Sequence, residues 1–281
     1  MAGTLLYLEE NMLGEIITQN RLRRPLIHCM TNHVTANDCA NILLACGGSA
    51  IMADDYDEVA EITAMCDGLV LNMGTPTPRK LDALLLAGKE ANKLGHPVIL
   101  DPVGVGSSEL RRRAGQQLME QVRFAAIRGN ATEIATLVQG TAAHRGVDAD
   151  IEEAPIASVE ENAKRLSQKT GAVVIVTGDT DIVTDGRLLY RIHHGHPMMK
   201  SVTGSGCQLS ALMGAFVTAN PDAPLRAALA AVCVMGLCGE IAHGRLGPLD
   251  GNASYRNYII DAVFNLTPAE LERGAEYEID Q

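Results

Sequence analysis

Residues 68–102 read GLVLNMGTPTPRKLDALLLAGKEANKLGHPVILDP. Two short apolar runs, 68–73 and 97–102, flank a long stretch whose apolar residues recur at three-to-four spacing. That middle stretch carries helix signals at both ends, Thr77-Pro78 at its start and Gly95 at its finish. The flanking runs are continuous rather than alternating, as in parallel strands covered on both faces. A strand, a helix and a second strand of this kind form one unit of a parallel α/β sheet.

The same alternation extends in both directions. Strand-like runs occupy 25–30, 48–53, 124–129 and 172–178, with helical stretches near 35–46, 55–66, 108–122, 130–138 and 157–170. Beyond 178 the pattern changes: TDIVTDGRLLYRIHHG (180–195) reads as two antiparallel strands turning at Asp185-Gly186. Three helices, near 206–219, 223–243 and 252–265, follow, and 140–158 reads as a surface loop. The expectation is one α/β domain over residues 1–281, with helices on both faces of a mostly parallel sheet.

Composition narrows the function. Hydrophobic residues make up 47% of the 281, enough for a sizeable core, while aromatics are only 3% and Trp is absent. Ala, Leu, Ile, Val and Met must therefore fill the interior. The formal charge of −11 argues against nucleic acid or an anionic membrane as the main partner. Two basic groups, Arg21, Arg23 and Arg24, and Arg111–Arg113, lie on amphipathic helical stretches and read as solvated faces. Seven cysteines without a CxxC pair or zinc-finger spacing point to reduced thiols and a cytoplasmic protein. The N-terminus has acidic residues and no basic stretch before an apolar core, so no signal peptide is expected. The longest apolar stretch, 227–239, is shorter than the ~18 residues of a membrane helix.

In open α/β sheets ligands bind outside the carboxyl ends of the strands. Polar and glycine residues gather at those ends: Thr31-Asn32, Met52, Asn72-Met73-Gly74, Asp101-Pro102, Arg128-Gly129-Asn130 and Thr177-Gly178. VTGSGC (202–207) places two glycines before a helix, so the backbone amides of Gly204, Ser205, Gly206 and Cys207 can form a cradle for an anion. Asp101 ends an apolar strand, where an unpaired carboxylate is too costly, so it should face the crevice and a cation. Asn130 and Glu133 have the spacing of a helix capping box, and a metal role for Glu133 fits the spacing equally. Asp101, Glu133 and the glycine turn together suggest hard oxygen ligands for Mg²⁺ beside a phosphate cradle. His193, His194 and His196 sit at the end of a hairpin strand, where neighbours point to opposite faces, and do not suggest a transition-metal site. GVGSSE (104–109) lacks the third glycine of a dinucleotide fingerprint. A nucleophilic Cys207 would need a basic partner and would leave Asp101, Arg128 and Glu133 without tasks.

The segments HCMTNHVTANDCANILLACGGSAIMADD (28–55), LVLNMGT (69–75), VILDPVGVG (98–106), AAIRGNATEI (125–134), VVIVTGDTDIVTDG (173–186) and VTGSGC (202–207) resemble, in order and spacing, the hydroxyethylthiazole kinases. The resemblance runs from about residue 12 to 265. It implies a ribokinase-like three-layer αβα sandwich serving thiamine biosynthesis and salvage. The implied reaction transfers the γ-phosphoryl group of ATP to the hydroxyl of 4-methyl-5-(2-hydroxyethyl)thiazole. Arg128 and Thr177 would bind ATP, and Asn32, Met52 and Gly204 would line the alcohol's site. Asp101 and Glu133 would hold Mg²⁺, directly or through water, and Cys207 would occupy the catalytic position beside the accepting hydroxyl. The thioether of Met52 suits the edge of a flat heteroaromatic ring. Members of the family form homotrimers with the small substrate between subunits. Kinases of pyridoxal or hydroxymethylpyrimidine, the alternative within the same fold, usually carry Asp where Cys207 stands. Three features depart from the pattern: Ser205 where Ala or Thr is more familiar, Ser201 where Lys is frequent (Lys200 is one position earlier), and the polar His33 and Asp38 beside the Thr31-Asn32 segment.

Overall fold

A computed structural model describes residues 12–140 and 155–280. Most of the loop expected at 140–158, and most of the N-terminal stretch read for a signal peptide, lie outside the described residues. The chain opens with α1 (Met12–Arg23) and then alternates β1 (Leu26–Met30), α2 (Ala36–Cys46), β2 (Ser49–Ile51), α3 (Val59–Met65), β3 (Gly68–Asn72), α4 (Pro78–Leu94), β4 (Val98–Asp101), α5 (Glu109–Gln121), β5 (Ala126–Asn130) and α6 (Ala131–Gln139). After the undescribed stretch come α7 (Ile156–Thr170), β6 (Val173–Thr177), β7 (Asp181–Thr184) and β8 (Leu189–Ile192). A 3-10 turn (Pro197–Ser201), α8 (Ser205–Ala219), α9 (Pro224–Gly244), α10 (Asn252–Asn265), α11 (Pro268–Gly274) and β9 (Tyr277–Asp280) complete it.

The strands form one nine-stranded sheet in the order β2-β1-β3-β4-β5-β6-β7-β8-β9. The first six are parallel and the last three antiparallel. Successive strand residues face opposite layers: Leu69 and Leu71 pack with Ala83, Ala87 and Leu118, whereas Val70 packs with Leu212 and Ala215. Two buried cores on either side of one sheet make the three-layer αβα sandwich that the sequence suggested. The caps that punctuate α4 are as expected, with Thr77 accepting from the Lys80 amide and Gly95 at φ 75°. The hairpin connection is longer than a two-residue turn: Thr184 pairs with Leu189, and Asp185 Oδ1 accepts from the amides of Arg187 and Leu188.

Two features of the topology position the site. Strand β2 lies on one side of β1 and β3 on the other, so the chain reverses direction across the sheet at the β1/β3 crevice, where ligands of such sheets bind. Helix α8 is buried nearly all round, as expected of a helix sandwiched between a sheet and other helices. It packs on β1, β3 and β4 beneath α9 and α2, which directs its N-terminus at those strands' carboxyl ends. Helix α9 has a mean hydropathy of 1.7 over a membrane-length window, longer than the apolar stretch evident in sequence, yet 72% of that window is buried against protein. Its apolarity belongs to the core.

Candidate active site

Five parallel strands and one helix N-terminus converge. Asn32 follows β1, Asn72 ends β3, Asp101 ends β4, Arg128 lies in β5, Thr177 ends β6, and Cys207 sits in the first turn of α8. Asn72 is the hub. Its Nδ2 donates to Asp101 Oδ2 at 2.7 Å and approaches Cys207 Sγ at 3.4 Å, while its Oδ1 accepts from Asn32 Nδ2 at 3.2 Å and the Gly74 amide at 2.8 Å. Asn32 Nδ2 also lies 3.5 Å from Cys207 Sγ, so two amide donors bracket the sulfur. Ser210, one turn along α8 from Cys207, donates to Asp101 Oδ2 at 2.9 Å. The expected Asn32, Asp101 and Cys207 are thus joined through Asn72 and Ser210, neither of which was assigned a task from sequence.

Asp101 is fully buried. Its Oδ2 takes two hydrogen bonds, but Oδ1 has none among the described residues, and the Arg128 Nη1 that faces it stands at 3.6 Å. Burial raises its pKa from 3.8 to about 6, against the pull of Arg128 and with Glu133 adding to the rise. Arg128 donates to Thr177 Oγ1 at 2.6 Å, and its buried Nε also has no hydrogen bond among the described residues. The guanidinium lies across the first turn of α8 so closely that a Cβ at Gly206 would run into it. Gly204, at φ 83°, would likewise press a Cβ into Thr35, so the turn needs glycine at both places. The amides of Gly206 and Cys207 have no acceptor among the described residues, while those of Ser205 and Gln208 bond to Val202 and Gly204. A fifteen-residue helix therefore presents free N–H groups beside a cation, an arrangement that attracts an anion.

Glu133 reaches the same region with both oxygens engaged. Oε1 accepts from the Gly104 amide and Oε2 from the Asn130 amide, each at 2.8 Å, and Asn130 Oδ1 accepts from the Glu133 amide. The capping box is made, and it ties the turn after Asp101 to the start of α6. Met52 is half-buried at the carboxyl end of the edge strand β2, packed against the core, and no hydrogen bond links it to the other site residues.

Several sequence readings change here. A helix N-terminus can favour a thiolate, but burial, with Asp101 and Cys39 nearby, pushes the Cys207 thiol up to about 12. Cys207 is a protonated thiol. Arg111 is not on a solvated face: its Nη1 reaches inward to the carbonyls of Met73 (2.9 Å) and Val103 (2.6 Å) and ties the loop after β3 to the loop after β4. Lys80 makes a comparable tie between the loops after β1 and β3. Arg21 is also occupied, holding the Leu266 carbonyl beyond the C-terminus of α10. Asp38 faces Arg256 at 3.7 Å, and Lys200 pairs with Asp179 at the surface. His194 Nε2 accepts from the Glu276 amide, so its Nδ1–H donates to Glu240, and among the described residues no group of three or more His, Cys, Asp or Glu side chains is placed to hold a metal ion.

A profile of the hydroxyethylthiazole kinase family matches residues 17–269. The chain belongs to the hydroxyethylthiazole kinase family. It is 52% identical over 271 residues to the hydroxyethylthiazole kinase of Clostridium acetobutylicum, with 95% of this chain and 99% of that one covered. The Desulfovibrio desulfuricans enzyme of the same name is 44% identical, at 94% and 97% coverage. Among solved structures, hydroxyethylthiazole kinase from Pyrococcus horikoshii superposes with a TM-score of 0.86 at 29% identity, covering 97% of this chain and all of that one. Pyridoxal kinase from Staphylococcus aureus in complex with AMP-PCP and pyridoxal superposes at 0.62 with 12% identity, over 91% of this chain and 97% of that one, a likeness of fold alone. The protein is a kinase of ribokinase-like fold, and the family favours the thiazole alcohol over the pyridoxal-type alternative.

Proposed function

We propose that this kinase, working as one domain, transfers the γ-phosphoryl group of ATP to the hydroxyl of 4-methyl-5-(2-hydroxyethyl)thiazole. The observation that carries the residue assignments is Arg128. Its guanidinium lies over the free amides of α8, bonds Thr177 and faces Asp101, so one cation borders every part of the cluster a transferring phosphoryl group would meet. Thr177 and Arg128 hold the nucleotide's phosphates, and the amides of Gly206 and Cys207 receive the equatorial oxygens of the group in flight. Asn32 and Asn72 orient the acceptor on the opposite side, with Met52 and the Gly204 turn closing its place.

The residues present suit Mg²⁺. A fully buried carboxylate oxygen with no hydrogen bond among the described residues, Oδ1 of Asp101, is a hard ligand in a position costly to leave with only the Arg128 guanidinium at 3.6 Å. Asp101 would hold the ion, with Glu133, already engaged by two amides, assisting through water. Once bound, Mg²⁺ supplies neutralising charge to the phosphate oxygens. Cys207 keeps its proton and serves as a neutral contact for the accepting oxygen, not as a base. A loose transition state develops little positive charge on the attacking hydroxyl before the bond to phosphorus forms, so no strong base is required: the bond from the γ-phosphorus to the bridging oxygen breaks, ADP leaves, and the hydroxyl proton is lost late to an oxygen of the arriving phosphoryl group.

The proposal includes a homotrimer with the alcohol's site at the subunit boundary. Val34, two residues from Asn32 and 58% exposed, is an apolar side chain of the kind a neighbouring subunit covers. Sedimentation equilibrium tests it, and a monomer at working concentration would count against it. A cytoplasmic location accords with seven free cysteines, six of them buried. The reaction is tested with γ-labelled ATP against the thiazole alcohol, hydroxymethylpyrimidine and pyridoxal. Preference for either of the last two in kcat/KM would overturn it.

A further inference from the structure

Lys80 breaks two local rules at one position. It is the third residue of α4, where the positive helix end disfavours a cation and an acid is the usual choice. Its side chain is also buried, at 8% exposure, and among the described residues its ammonium has no carboxylate within hydrogen-bond reach. Burial holds its pKa below the ordinary lysine value, with the Asp54 charge pulling the other way. Where a sequence sets local preference aside in this manner, the reason commonly lies at a functional site.

The bonds it makes say which function. Nζ donates to the Thr31 carbonyl at 2.6 Å and reaches the Gly74 carbonyl at 3.4 Å. The Thr31 carbonyl belongs to the peptide that leads into Asn32. Gly74, on the other side, donates its amide to the same Asn72 Oδ1 that accepts from Asn32. Thr75, the next residue, is held at φ +43°, a conformation that a β-branched residue rarely adopts. One ammonium therefore spans the β1/β3 crevice and grips both loops that carry the Asn32–Asn72 pair, one of them through a strained turn.

We propose that Lys80 is a positioning residue for the acceptor alcohol, fixing the span between the two loops and so the placement of Asn32 and Asn72 beside Cys207. The proposal rests on the reading of that crevice as the alcohol's site. It predicts an effect confined to one substrate, because the nucleotide side is held by Arg128 and Thr177, and the loops after β3 and β4 are tied separately by Arg111. The groups facing the ammonium are Asp54 from the loop after β2, Cys29 from β1 and Cys207 from α8. Both thiols are pushed up, Cys29 by its Cys39 neighbour and burial and Cys207 chiefly by burial, and stay protonated near neutrality. Lys80 is then the group whose loss of charge loosens the crevice as pH rises.

The test is steady-state kinetics of wild type and Lys80→Met with each substrate varied between about pH 6.5 and 10, alongside thermal unfolding. Losing a charge-assisted hydrogen bond should raise KM for the thiazole alcohol about tenfold, while KM for ATP stays within about twofold. Wild-type kcat/KM for the alcohol should fall on an alkaline limb centred below the ordinary lysine pKa of about 10.4, a limb missing from kcat/KM for ATP and from the variant. A folded variant with unchanged KM for the alcohol overturns the proposal. So does equal loss for both substrates accompanied by a lower Tm, which is the signature of a merely structural lysine. If the variant does not fold, the two wild-type pH profiles decide, and the lack of an alcohol-specific limb is a refutation. Wild-type enzyme inactive on the thiazole alcohol would sink both readings, whereas active wild type with an indifferent variant sinks this one alone.

Discussion

Asp101→Asn should make the ligand-free protein more stable and nearly inactive, and both halves follow from where the carboxylate sits. The group is fully buried, and burial raises its pKa from 3.8 to about 6. An acid whose folded pKa is raised contributes stability below its unfolded value and loses it as pH rises through the folded value. The window here is about pH 4 to 6. Above it, two units at 1.36 kcal/mol each mean that ionised Asp101 costs the empty fold ~3 kcal/mol. In the variant the amide oxygen takes the place of Oδ2 and keeps the bonds from Asn72 and Ser210. The amide NH₂ takes the place of Oδ1 and faces Arg128 Nη1, donor against donor, which returns ~1 kcal/mol of the gain. The net is ~2 kcal/mol at pH 8, or a Tm higher by about 4 °C for a chain of this size. At pH 5 the wild-type group is largely protonated, so the difference should shrink to about 1 °C. Calorimetry in EDTA without nucleotide at the two pH values checks this, and on the proposed role of Asp101 as a Mg²⁺ ligand kcat/KM should fall about a hundredfold or more. A variant less stable than wild type at pH 8, or a gap that does not change with pH, would show that the Arg128 pairing outweighs burial and would falsify the reasoning. Full turnover at low Mg²⁺ would remove the metal role.

Other consequences are simpler to state. Because its pKa is pushed to about 12, Cys207 should carry on the order of a thousandfold less thiolate than a free cysteine at pH 8. Iodoacetamide should label it slowly by mass spectrometry, and rapid labelling of folded protein would contradict the protonated thiol. Cys207→Ala should lower kcat by no more than about tenfold, because a neutral contact is lost and no base is removed. Total loss of transfer with ATP binding intact would count against that. Gly206→Ala places a methyl against the Arg128 guanidinium and should raise KM for ATP about tenfold, whereas in an Arg128→Met background the same change should do little. Additive losses in that cycle would mean that the two residues do not meet.

The fold was legible because its signals are local and repeated. Apolar continuity marked the six parallel strands, and caps such as Thr77 and Gly95 marked helix ends to within a few residues. Strand β9 was missed, since YEID is short and half exposed and owes its conformation to pairing with β8 some ninety residues earlier in the chain. The 7-residue α11 was also missed, although its Thr267/Glu270 capping box was there to be read. At the site, the rule that ligands gather at carboxyl strand ends singled out Asn32, Asp101, Arg128 and Thr177 as candidates, and the structure brings them together because position along a strand fixes which end a residue occupies. It gave no role to Asn72, which is distinguished only by bonds to three residues from other elements. Arg111 and Lys80 were illegible for a related reason. Each is a helix cation whose targets are backbone carbonyls of other loops, and carbonyls leave no trace in residue type.

Those cations bear on how an acidic chain can handle a phosphate donor. The formal charge is −11, and over distances beyond a Debye length of about 8 Å salt screens that charge from an approaching nucleotide. What remains is the charge within a few ångströms of the strand ends, and there the order along the sheet is Lys80 at β1/β3, Arg111 at β3/β4 and Arg128 between β4, β6 and α8. The carboxylates in the same layer are neutralised or occupied: Glu133 by two amides, and Asp101 by Arg128 together with its tendency to take up a proton. Burial, which lowers the pKa of Lys80 and Arg111 and raises that of Asp101, shows that each charge is held away from water, where screening is weak and its effect on a bound ligand is greatest. The acidic surface and the basic crest therefore do not oppose each other. The first governs how the molecule behaves in bulk, and the second acts only on what has already entered the crevice.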